Sequence, residues 1–390
     1  LGRMTRKSPV GAFESFGNSR FISIGGWINA TIPILIVPYY SVIGGWVIKY
    51  LIEYFAGHSK TLAGDAYFTT FISNGWSTEI CFIIFTLFTL GIIYAGVRNG
   101  IERVSKFMMP ILIVLSLIIA VYSVTRPGAI EGVKYFLVPN FDHFSWMTVV
   151  SAMGQMFYSL SIAMGILITF GSYMKKDTSI EKSTENVEIF DTAIAIMAGL
   201  MIIPAVFAFS GGNAETLKSG PALMFITIPK VFANMGFGTA IGVVFFLLVL
   251  FAAVTSSIAL TESAVSTFED ELHWSRKKST VFMGMVMLLL GTLSCLGYGP
   301  LANFKILGMQ FLDFFDFITN SVMMPIAAIA TCLLVSKVVG VDKIEEEIKK
   351  DGQAFRRKKI FCFMIKYLCP LFAAIILISS VANAFGIITM

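Results

Sequence analysis

Two groups of side chains carry chemistry that apolar packing does not require. The first is Gly154-Gln155-Met156-Phe157-Tyr158-Ser159-Leu160-Ser161-Ile162-Ala163-Met164-Gly165, in the middle of an apolar run. Serine hydroxyls bond back to their own helix, so two serines alone would be unremarkable. Gln155, both serines and the flanking glycines together suggest a broken helix. Such breaks are tolerated in membranes where the freed backbone faces protein or a water-filled cavity, and half-helix ends there bind ions and anionic groups. The second group is Ala252, Thr255 and Ser256, at i, i+3 and i+4 and so on one helix face. Hydroxyls beside an approachable carbonyl could coordinate a small hard cation such as sodium. The alternative is a set of interhelical hydrogen bonds, which are common in membrane bundles.

Other polar groups are scattered through apolar runs. Tyr39 and Tyr40 follow Pro33 and Pro38, either as packed aromatics on a kinked helix or with their hydroxyls toward a polar cavity. Ionisable groups near spans are costly and tend to mark pathways. Asp191 lies at the start of one apolar run, and Asp313 and Asp316 at the start of another. Asp313 reads better as a wet end residue. Asp270, in Phe268-Glu269-Asp270-Glu271-Leu272, sits at a helix end where a solvated acidic turn is the alternative. The five cysteines lie in or beside apolar segments with no C-x-x-C, and the three histidines lie in polar stretches, so no metal cluster is expected.

These residues must be positioned by a chain of 390 residues, 56% apolar and only 14% charged, against roughly 45–50% and 25% in an average soluble domain. That excludes a soluble globule, and disorder, collagen and coiled coil fall on the same numbers. An all-α polytopic protein embedded in a lipid bilayer remains, with no nucleic-acid partner expected. A run of about 20 apolar residues spans a bilayer. Nine such runs are found, at roughly 21–55, 79–97, 104–124, 145–174, 187–210, 239–268, 279–298, 307–337 and 360–387. The apolar stretch Gly220 to Asn234 is too short and is bracketed by Pro221 and Pro229, so it reads as a re-entrant or surface hairpin.

Lys and Arg set the orientation, because positively charged loops stay cytoplasmic. Of the 29, 21 fall before the first span and after the second, fourth, sixth and eighth; six fall on the other side, with Lys49 and Lys366 inside spans. The N-terminus is therefore expected inside and, after nine crossings, Met390 outside. The chain divides into a single membrane core over 1–339, a polar linker over 340–359 and a last span within 360–390. In the core, 1–20 is expected as a cytoplasmic loop, and 125–144 and 211–238 as extracellular loops.

Several motifs in order resemble the neurotransmitter:sodium symporters, especially their bacterial amino-acid transporters. They are Tyr94-Ala95-Gly96-Val97-Arg98-Asn99-Gly100-Ile101-Glu102 running into Ser105-Lys106-Phe107-Met108-Met109-Pro110, then Arg126-Pro127-Gly128-Ala129 with Glu131-Gly132. Gly154-Gln155 with Ser159-Leu160-Ser161, Thr255-Ser256-Ser257, and Glu269-Asp270-Glu271-Leu272 with Ser275-Arg276-Lys277 complete the set. The resemblance covers essentially the whole chain. It implies a leucine-transporter-type inverted-repeat fold, in which two five-helix repeats meet at broken helices 1 and 6 and the substrate lies at that meeting point. The first span then corresponds to family helix 3 and the ninth to helix 11, as in members with eleven spans. Leu1-Gly2-Arg3 matches the end of helix 2, and the chain opens with neither an initiator methionine nor a signal peptide. The expectation is an N-terminally truncated sequence lacking helix 1 and most of helix 2, or a separate two-span segment that completes it, with no transport by this chain alone.

The resemblance also implies roles, position by position. Tyr40 would bind the substrate carboxylate, Ile36 would form a side wall and Tyr158 the aromatic lid, with Ser161 and Met164 in the break and Ser256 and Leu260 from the sixth span. Ala252, by its carbonyl, with Thr255 and Ser256 would form one sodium site. Ser159 would belong to the other, with Asp191 as its ligand or as the acid that replaces chloride, which leaves chloride dependence open. Asp316 resembles an outer gating acid, and Tyr173 and Asp270 an inner network. Gly100 and Pro110 match a motif associated with local unwinding, although a helix-internal Pro kinks a helix in any case. Together these imply sodium-coupled symport of neutral, mostly apolar amino acids by alternating access. A non-transporting sensor or accessory subunit on the same fold is the alternative. A channel would need a filter-like segment, and an enzyme is not expected because no nucleophile, base and orienting group converge.

Overall fold

The computed structural model describes residues 1–352 and 354–386; Ile387, at the end of the expected ninth span, and Met390 lie outside them. The spanning elements are α1 (Arg20–Phe55), α2 (Gly75–Tyr94), α3 (Val97–Val124), the half-helices α4 (Trp146–Ser159) and α5 (Ile166–Tyr173), α6 (Ile180–Ser210), α7 (Gly238–Leu272), α8 (Arg276–Leu296), α9 (Phe311–Val339) and α10 (Lys358–Ala384). Among the described residues there is no strand, only an isolated bridge between Ile306 and Met309. Eight of these helices are long and apolar enough to cross a membrane singly. The fourth expected span is the exception, because it is broken.

Helix α1 lies at the centre and packs on α2, α7, α8 and α9. Its 36 residues reach about 54 Å at the usual rise, well beyond the ~30 Å hydrocarbon layer, so it tilts or projects. Pro33 and Pro38 both lie inside it without interrupting the helix. Small residues let α2 come close: a Cβ on Gly45 would meet the backbone nitrogen of Phe82 at 2.6 Å, and one on Gly44 the Phe85 ring at 2.5 Å. Toward one end of α1, Trp46, Tyr50, Phe68, Phe225 and Phe246 form an aromatic cluster, with Phe68 and Phe225 stacked at 5.2 Å. Tyr50 donates its hydroxyl hydrogen to the Phe225 carbonyl at 2.8 Å.

Phe225 belongs to the stretch expected to turn back on itself. Gly220–Ala233 is instead one short continuous helix with no reversal. Pro221 stands in its first turn, where a missing N–H costs nothing. Pro229 follows a π-helical stretch, Leu223–Thr227, whose different bonding accommodates it. Buried Phe225, Ile228, Val231 and Phe232 attach this helix to the core.

The polar flanks are also more structured than their composition suggests. Residues 1–20 hold two short helices, Gly2–Thr5 and Pro9–Glu14, and the linker holds the helix Val341–Ile348 with Val341, Ile344 and Ile348 buried. Arg3 and Glu347 join the two regions in a buried ion pair at 2.7 Å. Arg3 also donates to the Thr178 carbonyl at 2.6 Å.

Candidate functional site

The site is built around the interruption between α4 and α5. Helix α4 stops at Ser159 and α5 starts at Ile166. Between them Ser161, Ala163 and Gly165 take left-handed backbone angles, with φ of 53°, 61° and 72°. Only at the last is the side chain excluded as well, since a Cβ on Gly165 would meet Pro9 at 2.7 Å and the Asn29 carbonyl at 2.8 Å. A helix cannot continue through such angles, so carbonyls at the end of α4 and N–H groups at the start of α5 are released from intrahelical bonding. Glycine tolerates this geometry; Ser161 and Ala163 do so at roughly 1–2 kcal/mol each, which the surrounding contacts must offset.

The break faces a cavity of about 470 Å³. Ile36 and Tyr40 from α1, Tyr158, Ser159, Ser161 and Met164 from α4 and the break, and Thr255, Ser256 and Leu260 from α7 all line it. Ile36, Met164 and Leu260 are buried. The structure therefore brings all seven residues assigned to the substrate into one space, although they come from three separate stretches of chain. Met109, Gln155, Ile166 and Ala259 line it too, and no lining residue is charged.

Two oxygen clusters border this space. On α7 the Thr255 hydroxyl lies 3.0 Å from the Ala252 carbonyl and 3.0 Å from the Phe251 carbonyl, donating to both, with Ser256 beside it. These hard oxygens suit an alkali cation better than a transition metal. On the other side, the Ser159 hydroxyl donates to Asp191 Oδ1 at 2.6 Å, joining the end of α4 to α6. A carboxylate and a hydroxyl there add a formal negative charge to the helix end.

A second cavity, of about 500 Å³, lies beyond Tyr158 and reaches Asp316 and Asn320 of α9 and Ile376 and Ser380 of α10. Tyr158 and Gln155 line both cavities, so the two spaces adjoin at these residues. Asp316 is held by Tyr39, whose hydroxyl donates at 3.1 Å, and by Asn320 Nδ2 at 2.6 Å. Tyr39 is thus tied to α9, whereas its neighbour Tyr40 lines the inner cavity. Asp313 accepts from the Tyr298 hydroxyl at 2.9 Å.

At the opposite end the expected network is divided. Tyr173 does not bond Asp270; its hydroxyl donates to Glu262 Oε1 at 2.7 Å. Glu262, whose side chain is fully buried, also accepts from both terminal nitrogens of Arg276, at 3.1 and 2.5 Å. Asp270 accepts instead from the backbone nitrogen of Ser8, ahead of the helix Pro9–Glu14. Sequence reasoning missed Glu262. The signal was there: an acid within the apolar run 239–268, seven residues after Thr255 and on the same helix face. Gly100 lies in a π-helical opening of α3, Val97–Glu102, and Pro110 lies inside the α-helical part that follows.

Residues 69–387 match the profile of the sodium:neurotransmitter symporter family. The chain is 31% identical over its full length to the uncharacterized sodium-dependent transporter YhdH of Bacillus subtilis, covering 85% of that protein. It is 29% identical to an uncharacterized sodium-dependent transporter of Haemophilus influenzae, over 97% of this chain and 85% of that one. Among solved structures, the crystal structure of MhsT in complex with L-phenylalanine superposes with a TM-score of 0.85 at 32% identity, over 97% of this chain and 86% of the other. With its leucine-transporter-type helical fold and several membrane-spanning helices, this chain belongs to the sodium:neurotransmitter symporter family, a family of transporters and not of enzymes.

Proposed function

We propose that the protein couples sodium to the symport of neutral, mostly apolar amino acids by alternating access. The observation that carries this reading is the inner cavity, where uncharged apolar walls meet the polar break and two oxygen clusters. The Tyr40 hydroxyl and the N–H groups opening α5 suit a carboxylate, and Ile36, Met164 and Leu260 suit an apolar side chain, with Met164 able to repack. The likeness to a protein solved with L-phenylalanine supports the same class. Ala252, Thr255 and Ser256 would hold one sodium ion, and Ser159 and Asp191 another. Asp191, hydrogen-bonded to Ser159, would serve either as a ligand of that ion or as the acid that stands in for chloride, and the chloride arm of the test below separates the two. Tyr158 closes the inner cavity on the side of Asp316, and the Tyr173–Glu262–Arg276 and Asp270–Ser8 contacts close the opposite, cytoplasmic end. The excess of Lys and Arg at that end supports the orientation.

The test is uptake of labelled amino acids into proteoliposomes that hold the chain together with a segment supplying family helices 1 and 2, under an inward sodium gradient, with chloride replaced by gluconate in a parallel arm. Leucine, methionine or phenylalanine should accumulate only with sodium. Preference for lysine or glutamate would reject the substrate class, and sodium-dependent binding without uptake would make the protein a sensor.

A further inference from the structure

Outside the transport pathway, the lipid-facing surface where α2 ends and α8 begins carries a groove of about 440 Å³. Trp274, Lys277 and Lys278 stand at its head, Tyr94 of α2 forms one side, and Val281 and Met285 form its floor. The two lysines are folded onto rings: Lys277 Nζ lies 5.6 Å from the Tyr94 centroid, and Lys278 Nζ 4.0 Å from that of Trp274. Trp274 is itself fixed edge-on against Phe282 at 5.3 Å. Neighbouring Arg276 is occupied by Glu262 and Glu269. Among the described residues, neither lysine forms an ion pair, and the first turn of α8 contains no acid. Cations in that turn oppose the helix dipole. Two ammonium groups without an ion-pair partner therefore flank this end of the groove, each over an aromatic ring of the kind that collects at membrane–water interfaces.

Below them the surface becomes apolar in a directed way. Val281, Met285 and Leu289 are 58%, 57% and 68% exposed, and they follow one another at four-residue spacing along one face of α8. From Val281 to Leu289 the strip runs about 12 Å, most of the ~15 Å depth of one leaflet. A soluble anion would use the lysines and leave this strip unused. A molecule with an anionic head and an acyl chain uses both.

We infer that this groove binds one anionic phospholipid, its phosphate held between Lys277 and Lys278 and one acyl chain laid along Val281, Met285 and Leu289. The site ties a lipid to α8 through the same short segment that carries Arg276, the partner of buried Glu262. It depends on neither the substrate nor the sodium assignments.

The test is native mass spectrometry of the full protein extracted from vesicles of equimolar phosphatidylglycerol and phosphatidylcholine. The expected result is a retained phosphatidylglycerol adduct of one lipid per chain. It should fall at least tenfold in the double variant Lys277→Gln with Lys278→Gln and persist in Lys106→Gln, which removes a cation paired with Glu102 outside the groove. The charge-preserving pair Lys277→Arg with Lys278→Arg should retain the adduct, which keeps the test valid if the neutral pair folds poorly. Equal retention of phosphatidylcholine by the unaltered protein, unchanged phosphatidylglycerol retention in the neutral pair, or loss in the arginine pair while its elution profile stays normal would each overturn the assignment.

Discussion

Removing Arg276 should damage the protein more than removing both Arg276 and the charge it faces. The Glu262 side chain is fully buried, and its oxygens accept from both terminal nitrogens of Arg276 and from the Tyr173 hydroxyl. In Arg276→Ala the carboxylate keeps only Tyr173, and a buried charge stripped of its partner costs roughly 3–5 kcal/mol. Arg276 is 22% exposed, so water can follow into its place, and the lower end of that range, about 3 kcal/mol, is expected. Glu262→Gln in the same background removes the stranded charge and keeps an oxygen for Tyr173. It should recover about 2 kcal/mol, roughly a 30-fold change in the unfolding equilibrium. The assay is a double-mutant cycle on unfolding free energies, measured by titrating dodecylmaltoside micelles with sodium dodecyl sulfate. If the double variant is as unstable as the sum of the two singles, Glu262 and Arg276 do not act as a buried pair and the reasoning fails.

Three further outcomes follow from other parts of the molecule. Thr255→Ala and Ser256→Ala should each raise the sodium concentration for half-maximal substrate binding about tenfold, since a dehydrated cation losing one oxygen is poorly compensated; unchanged sodium dependence in both would leave the Thr255 hydroxyl as a group that only bonds back to its own helix. Leu260→Ala enlarges the apolar wall of the inner cavity and should shift competition toward larger apolar side chains by about tenfold; a uniform loss for all substrates would place Leu260 in packing alone. Burial raises the Glu347 carboxyl, but hydrogen bonds from Lys350 and Arg3 outweigh it and hold the group below the usual carboxylate range. Its contribution is complete above the unfolded value of about 4.3 and is lost as pH falls through the lower folded value. Melting temperature should therefore fall less steeply in acid for Glu347→Gln than for the unaltered protein, and parallel curves would argue against the pair.

What was legible depended on whether the determinant was local. The break around Ser161 could be read because its signal, polar and flexible residues inside an apolar run, sits in twelve consecutive positions. Eight of the nine expected runs form helices long and apolar enough to cross a membrane, and these were legible for the same reason, since length and hydropathy are properties of a single segment. Pro33 and Pro38 show the limit: both stand in an uninterrupted α1, because a proline removes one bond and neighbouring helices can satisfy what it frees. The stretch Gly220 to Asn234 was misread as a hairpin because its prolines look like turn signals, while the aromatic cluster that holds it as a helix comes from distant residues, Trp46, Tyr50 and Phe246. The division of the inner contacts between Tyr173–Glu262 and Asp270–Ser8 is likewise set by which helices meet. The convergence of Ile36, Tyr158 and Leu260 could be anticipated through the family resemblance and from nothing in their spacing.

The close approach at Gly44 and Gly45 has a mechanical meaning. With backbone against backbone and a ring filling the place of a missing side chain, α1 and α2 have no slack in which to slide past each other. On the proposed alternating access, this pair would stand as a stator. The displacement then falls to the parts joined by rotatable or exchangeable contacts, the half-helices α4 and α5 and the polar latches at their far ends. A larger residue at Gly45 would therefore distort the frame itself, whereas the same enlargement at Gly154 on α4, where a side chain would meet open space, would load only the moving part.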